Sequence, residues 1–215
     1  MSANQAVKQD FMTIISERHS VRKYDPTVKI SREELTTMLQ EATLAPSSSN
    51  MQPWRFLVIE DQKLKEELLP IAFNQQQVVD ASHVIAVLAD KESYRLAETI
   101  YDRAEQAGVM DSVTKQRMLG NITGEQSPYR KEAIAKDIGL VDAGLISMQL
   151  MLVAKAHGYD TVPMGGFVKS QFNEKFAVPD RYETVMLIAI GKAAVQAHAS
   201  VRLTVDEVTF WNSLT

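Results

Sequence analysis

The chain has 215 residues, 45% hydrophobic and 23% charged, with a net charge of −4, enough to bury a substantial core and too acidic to recruit nucleic acid or anionic lipid by its overall field. It has no cysteine, which excludes disulfides, thiolate zinc sites, iron–sulfur ligation and a cysteine nucleophile.

The first helix is expected to carry Val7, Phe11, Ile14 and Ile15 on one stripe and to end near Arg18. The next opens at Ser31, where "SREE" places Glu34 three residues after the serine in a capping box. Its buried stripe is Leu35, Met38, Leu39 and Ala42, and Pro46 ends it. "WRFLVIE" at 54–60 then reads as a strand, followed by a short helix opening at Asp61. "HVIAVLAD" at 83–90 is apolar enough to be a central strand. Residues 91–123 read as a charged helical excursion suited to a lid. The strongest helical signal follows, with Ile134, Ile138, Val141, Leu145, Met148 and Leu152 stepping by three and four. Lys155 and His157 fall in its last turn and Gly158 supplies the stop. Because this helix is apolar over much of its surface, it belongs in the middle of the protein or at a subunit interface. "TVPMGGF" at 161–167, a short helix from Ser170 and the strand "ETVMLIAIG" complete the pattern. The tail lacks a firm period, but Phe210 and Trp211 predict that it docks on something. One α+β domain spanning 1–215 is the expected organisation. The N-terminus lacks a signal-peptide core and the longest uninterrupted apolar run, "VMLIAIG", is too short to span a bilayer, so the expected setting is soluble and cytoplasmic.

The common catalytic signatures are missing. There is no GxGxxG after a strand, no GxxxxGK[ST] and no GxSxG, and His19, His83, His157 and His198 have no metal-ligand spacing. Three polar segments at element ends remain. "ERHSVRKYD" at 17–25 groups Arg18, His19, Ser20 and Arg22, which suits an anion with several oxygens or a basic helix end answering the macrodipole. "APSSSNMQPWRF" at 45–56 offers Ser47, Ser48, Ser49, Asn50 and Gln52 as mixed donors and acceptors. It suits the edge of a heterocycle or a solvated turn. "PMGG" at 163–166 allows close backbone approach to a flat ligand, or simply a turn.

In this order "ERHSVRKY", "APSSSNMQPWRF", "FNQQQVVDASHVIAV", "VPMGGF" and "LIAIGK" resemble the nitroreductase family of FMN-dependent oxidoreductases, over about residues 14–192. The resemblance implies an intertwined homodimer, a central mixed β-sheet flanked by helices, and one FMN in each of two interface sites. It implies hydride transfer from NAD(P)H through FMN to nitroaromatics, quinones or related acceptors in a ping-pong cycle, with no protein residue acting as acid, base or nucleophile. Reductive dehalogenation, flavin cleavage or flavin storage on the same fold are the alternatives. By the family pattern Arg18, His19, Ser20 and Arg22 hold the phosphate, ribityl chain and pyrimidine edge. Pro46, Ser47, Ser48 and Asn50 come from the other subunit, Asn74 and Gln77 contact the ring, and Pro163, Met164, Gly165 and Gly166 lie along one face near N5. Lys192 and Arg202 are the candidates to finish the phosphate site. Two positions depart from better-known relatives: Gln77 stands where a lysine is frequent, and Gly165 where one branch carries an acid. The first departure shifts the cationic duty toward Arg22.

Overall fold

The structure, a computed structural model, describes residues 10–214. Helix α1 spans Phe11–Glu17, with Asp10 accepting from the Met12 amide at its start. Val7 lies outside the described residues. Of its expected stripe-mates, Ile14 is buried while Phe11 and Ile15 are exposed. Helix α2, Arg32–Ala42, begins at Ser31 with both halves of the capping box formed, which stabilises a helix start by about 1 kcal/mol. Leu35, Met38 and Ala42 are buried beneath it. The helix stops at Ala42, four residues before Pro46, so the turn at 43–45 rather than the proline ends it.

Strand β1 (Trp54–Ile59) is followed by helix α3 (Gln62–Ile71), capped by Asp61, and by the one-turn helix α4 (Gln77–Asp80). Strand β2 (His83–Asp90) is buried along its whole length. Helices α5 (Ala97–Gln106) and α6 (Ser112–Thr123) make up the charged excursion, held together where Lys115 bridges Asp102 (2.5 Å) and Glu105 (2.7 Å). Helix α7 (Glu132–Ala156) comes next and stops at Gly158, whose φ of +82° needs a glycine. Strand β3 (Asp160–Met164), helix α8 (Lys169–Lys175), strand β4 (Tyr182–Gly191) and the single turn α9 (Val205–Val208) complete the chain.

The four strands form one sheet in the order β1-β2-β4-β3, and each neighbouring pair is antiparallel. β2 and β4 are therefore the inner strands, β2 as the apolar run at 83–90 predicts. The sheet is thus antiparallel throughout rather than mixed as expected, and the one parallel pairing among the described residues is an isolated bridge outside its strands, Ser20 to Thr161 on the outer edge of β3. Alternation along β2 divides the core. Val84, Ala86 and Leu88 pack with Leu68, Ile71 and Phe172 of α3 and α8 on one face. Ile85 and Val87 pack with Met38 of α2 and with Ala143, Ile146 and Leu150 of α7 on the other. A smaller cluster of Met51, Ala97, Tyr101, Ile122 and Tyr129 lies beneath α5 and α6.

α7 decides the shape of the molecule. It packs on α2 and on all four strands. Gly139 permits this approach, since a Cβ there would sit 2.9 Å from Ala89 Cβ. By length and composition α7 could cross a membrane, with a hydropathy of 1.5 over 18 residues, of which 44% is buried in this chain. The buried positions are Ala135, Gly139, Asp142, Ala143, Ile146, Ser147, Leu150, Met151 and Ala154. The stripe singled out from the sequence faces the other way: Ile134, Val141, Leu145 and Met148 are exposed, Val141 by 64%. A helix apolar all round has no preferred inward direction of its own, so the sheet chooses the face with small side chains. The tail differs from expectation too. Phe210 and Trp211 are exposed rather than docked on this chain, along with Val201, Leu203, Val205 and Val208.

Candidate functional site

The 18–25 segment runs along the edge of β3. The Val21 amide donates to the Thr161 carbonyl (3.1 Å), and farther on the Tyr24–Ala193 bridge ties the segment to the residues after β4. Val21 and Tyr24 are buried, and the Tyr24 hydroxyl donates to the Ala189 carbonyl (3.0 Å), where burial pushes its pKa up. These anchors leave Arg22 and Lys23 facing solvent. Among the described residues the Arg22 guanidinium reaches only the Ser20 carbonyl (3.4 Å), and the Arg18 guanidinium makes no hydrogen bond or ion pair. His19 is fixed by a contact between Nδ1 and the Glu17 carbonyl (2.9 Å). Two clefts of about 460 and 480 Å³ flank the segment, one lined by His19, Lys155 and Asp160, the other by Ser20, Arg22 and His198.

The turn after β3 meets the turn before α4. Gln75 Nε2 donates to the Gly166 carbonyl (2.7 Å) and to the Ala72 carbonyl (3.0 Å). Gln77 is buried, and its amide nitrogen donates to Gln75 Oε1 (3.0 Å) beside Met164 Sδ (3.9 Å). Met164 points into the core, while Pro163, Gly165 and Gly166 are exposed. A Cβ on Gly165 would meet nothing within 4 Å, so an open approach lies over that residue. Asn74 is exposed, with φ of 56°. Lys192 donates to the Gly158 carbonyl (2.8 Å), and its own carbonyl accepts from the Asp25 amide (2.9 Å). The structure thus gathers 18–22, 74–77, 163–166 and 192 around the β3 edge. It does not gather Arg202, whose guanidinium donates to the adjacent Val201 carbonyl (2.9 Å) in the exposed tail.

The serine loop stands elsewhere. It leads into Trp54, which packs with the α2–α7 face of the sheet. Among the described residues no hydrogen bond or ion pair joins 46–52 to the β3 edge. Its serines are largely occupied. The Ser48 amide donates to both carboxylate oxygens of Asp142 (3.1 Å each), and the Ser48 hydroxyl donates to Oδ1 (3.2 Å). Ser47 Oγ accepts from the Gln52 amide (3.0 Å) and keeps its own proton to donate. Tyr101 donates to the Ser49 carbonyl and Tyr129 to Ser49 Oγ, both at 3.0 Å. Pro46 and Asn50 are exposed. Of seven non-glycine residues with positive φ among those described, Ser49, Asn50, Gln52, Phe73 and Asn74 lie in these two turns. Each costs about 1–3 kcal/mol and is held only by its surroundings.

Several of these holding residues escape sequence reading. Asp142 is buried in α7, where desolvation raises its pKa against the opposing pull of the Ser48 hydrogen bonds. A lone carboxylate inside "IGLVDAGLISM" was a signal for it. Gln75, within the "QQQ" run, is a second. Lys65 is a third. It is fully buried, and its ammonium donates to the carbonyls of Val79 (3.1 Å), Ala81 (2.6 Å) and Ser82 (3.5 Å). Desolvation, then the charge of Lys29, brings its pKa down to about 8. This brace secures the end of α4, the helix that carries Gln77.

Comparison with known proteins completes the picture. "Putative NAD(P)H nitroreductase YdgI" of Bacillus subtilis (strain 168) is 49% identical over 206 residues, covering 94% of this chain and 97% of that protein. The "CLA biosynthesis enone reductase" of Lactiplantibacillus plantarum is 37% identical over 194 residues, covering 87% and 88%. The crystal structure of "a putative nitroreductase in complex with FMN" from Exiguobacterium sibiricum 255-15 superposes with a TM-score of 0.89 at 50% identity, covering 95% and 98%. The model of the Nitroreductase family matches residues 15–192, and with the order of motifs around the β3 edge this places the chain in the nitroreductase family.

Proposed function

We propose that the chain is a single FMN-binding domain that works as a cytoplasmic homodimer and passes electrons from NAD(P)H to small organic acceptors. The observation that carries this reading is the pair of guanidiniums, Arg18 and Arg22, left without carboxylate partners among the described residues, on a segment paired with the strand that leads into the Gly165–Gly166 turn. That donor set fits FMN: permanent cations for a phosphate and an electron-rich ring edge, and bare backbone for a flat ring. FMN is the group bound in the 50% identical neighbour.

Bound FMN would supply two-electron hydride chemistry between NAD(P)H and an acceptor. Arg18, Ser20 and Lys192 hold the phosphate end. Arg22 sets its permanent charge against the pyrimidine edge, where negative charge accumulates on reduction. Gln77, tied down by Gln75, offers an oriented amide in place of a lysine's charge. Gly165 and Gly166 leave room for the donor and the acceptor to stack in turn, and the protein contributes chiefly by alignment. The two nucleotide and acceptor reactions then share one place, which predicts ping-pong kinetics.

Two features support the dimer. A groove of about 400 Å³ on the exposed face of α7 is lined by Pro46, Val141, Leu145, Met148 and Leu152. A second copy seated there is brought beside the 46–50 loop, which then lends Pro46, Ser47, Ser48 and Asn50 to the neighbour's flavin. The exposed apolar tail would lie on the same partner, and Arg202 is carried with it. The test is direct. The purified protein should be yellow, bleach under anaerobic NADH or NADPH, and turn over with a panel of quinone, nitroaromatic and enone acceptors. The enone belongs in the panel because of the 37% identical enone reductase. A colourless protein that takes up no added FMN overturns the reading.

A further inference from the structure

Three side chains from three separate elements converge on two consecutive serines. Asp142 of α7 accepts from the Ser48 amide and hydroxyl, Tyr101 of α5 donates to the Ser49 carbonyl, and Tyr129 of the 3-10 turn Pro128–Arg130 donates to Ser49 Oγ. All three are buried, Asp142 to 1% exposure and Tyr101 to 2%. Ser49 sits between them at φ 51° and ψ 24°, a left-handed conformation that a serine does not hold unaided. Asn50 and Gln52 follow at φ 57° and 45°.

We infer that Asp142, Tyr101 and Tyr129 are positioning residues: a clamp that holds Ser49 left-handed and so presents Ser47 and Asn50 to the flavin. The inference rests on the FMN-binding role proposed above. It adds that the α5–α6 excursion and the flavin-facing loop are one mechanical unit, because both tyrosines clamping Ser49 belong to the excursion's own core with Met51 and Ile122. Without the clamp the loop spreads over several conformations, and apparent affinity falls in proportion to the competent fraction.

The experiment uses the full chain and three variants: Tyr101→Phe with Tyr129→Phe, Asp142→Asn, and the double phenylalanine variant carrying Ser49→Gly. FMN affinity of the flavin-stripped protein is read by fluorescence quenching, the bound ring environment by visible circular dichroism, and loop opening by hydrogen exchange. The exchanging amides are those of Asn50 and Met51, bonded to the Ser47 and Ser48 carbonyls. The double phenylalanine variant should bind FMN about tenfold more weakly, alter the flavin dichroism and exchange those amides about tenfold faster. Ser49→Gly should restore most of the affinity, since glycine takes the left-handed conformation without a clamp. Unchanged exchange overturns the clamp. Faster exchange with unchanged FMN affinity overturns its positioning role, as does a loss that Ser49→Gly leaves in full. A wild-type chain that takes up no FMN refutes the functional reading instead, and the exchange rates then decide the clamp alone.

Discussion

Lys65→Met removes the amine and keeps the length of the side chain. The Val79, Ala81 and Ser82 carbonyls lose a donor, and among the described residues only Val79 has another side-chain donor near it, Gln62 Nε2 at 3.5 Å. A hydrogen bond to a charged group contributes about 1.5–3 kcal/mol, and the variant recovers part of this because it no longer buries an ammonium. The net loss should be about 2–4 kcal/mol, a fall in Tm of roughly 5–15 °C for a chain of this size. The pH dependence separates this cause from simple misfit. The folded-state pKa is about 8, below the ordinary 10.5, so the unfolded chain holds the proton more tightly between those values. Wild-type stability from this group therefore rises with pH from about 8 to 10.5, and the gap to Lys65→Met should widen across that window. Urea unfolding at pH 7 and pH 10 measures both quantities. A gap under about 0.5 kcal/mol at pH 7 falls within ordinary surface noise and would refute the brace, and a gap that narrows with pH would refute the electrostatic account.

Three further outcomes test the functional reading. Arg22→Ala should lower the two-electron potential of bound FMN by about 30–60 mV, read by spectroelectrochemistry, and an unchanged potential would remove Arg22 from the pyrimidine edge. Ser47→Ala combined with Asn50→Ala should weaken FMN retention by about tenfold while light scattering still finds a dimer; unchanged retention would make the loop a plain turn. Leu145→Glu places a charge in the exposed apolar face of α7 and should raise the dimer dissociation constant at least about 100-fold, with FMN lost in step. A variant that stays dimeric at micromolar concentration would put the interface elsewhere.

Local chemistry was legible from the chain itself. The Ser31 and Glu34 capping box, the Gly158 stop, the central strand at 83–90 and the basic 18–22 segment rest on neighbours within a few residues, and the structure contains each of them. The motif order also sufficed for the family, because its segments are spaced along nearly the whole chain. Orientation was not legible. The periodic stripe of α7 was visible, but a helix with apolar residues on every side turns inward whichever face fits the sheet, and small residues fitted best. The serines looked free because their partners are distant: Asp142 lies 94 positions from Ser48, and Tyr129 lies 80 from Ser49. Lys65 is, in the sequence, one of several charged residues in "DQKLKEELL". Its burial is decided by where α4 ends against α3, a contact that spacing along the chain does not encode. Sequence thus determined the elements, their ends and the kind of chemistry their polar residues can perform. Tertiary structure decided which of those residues are spent on holding the backbone and which remain open to a ligand, because a hydrogen bond's partner is a matter of position in space.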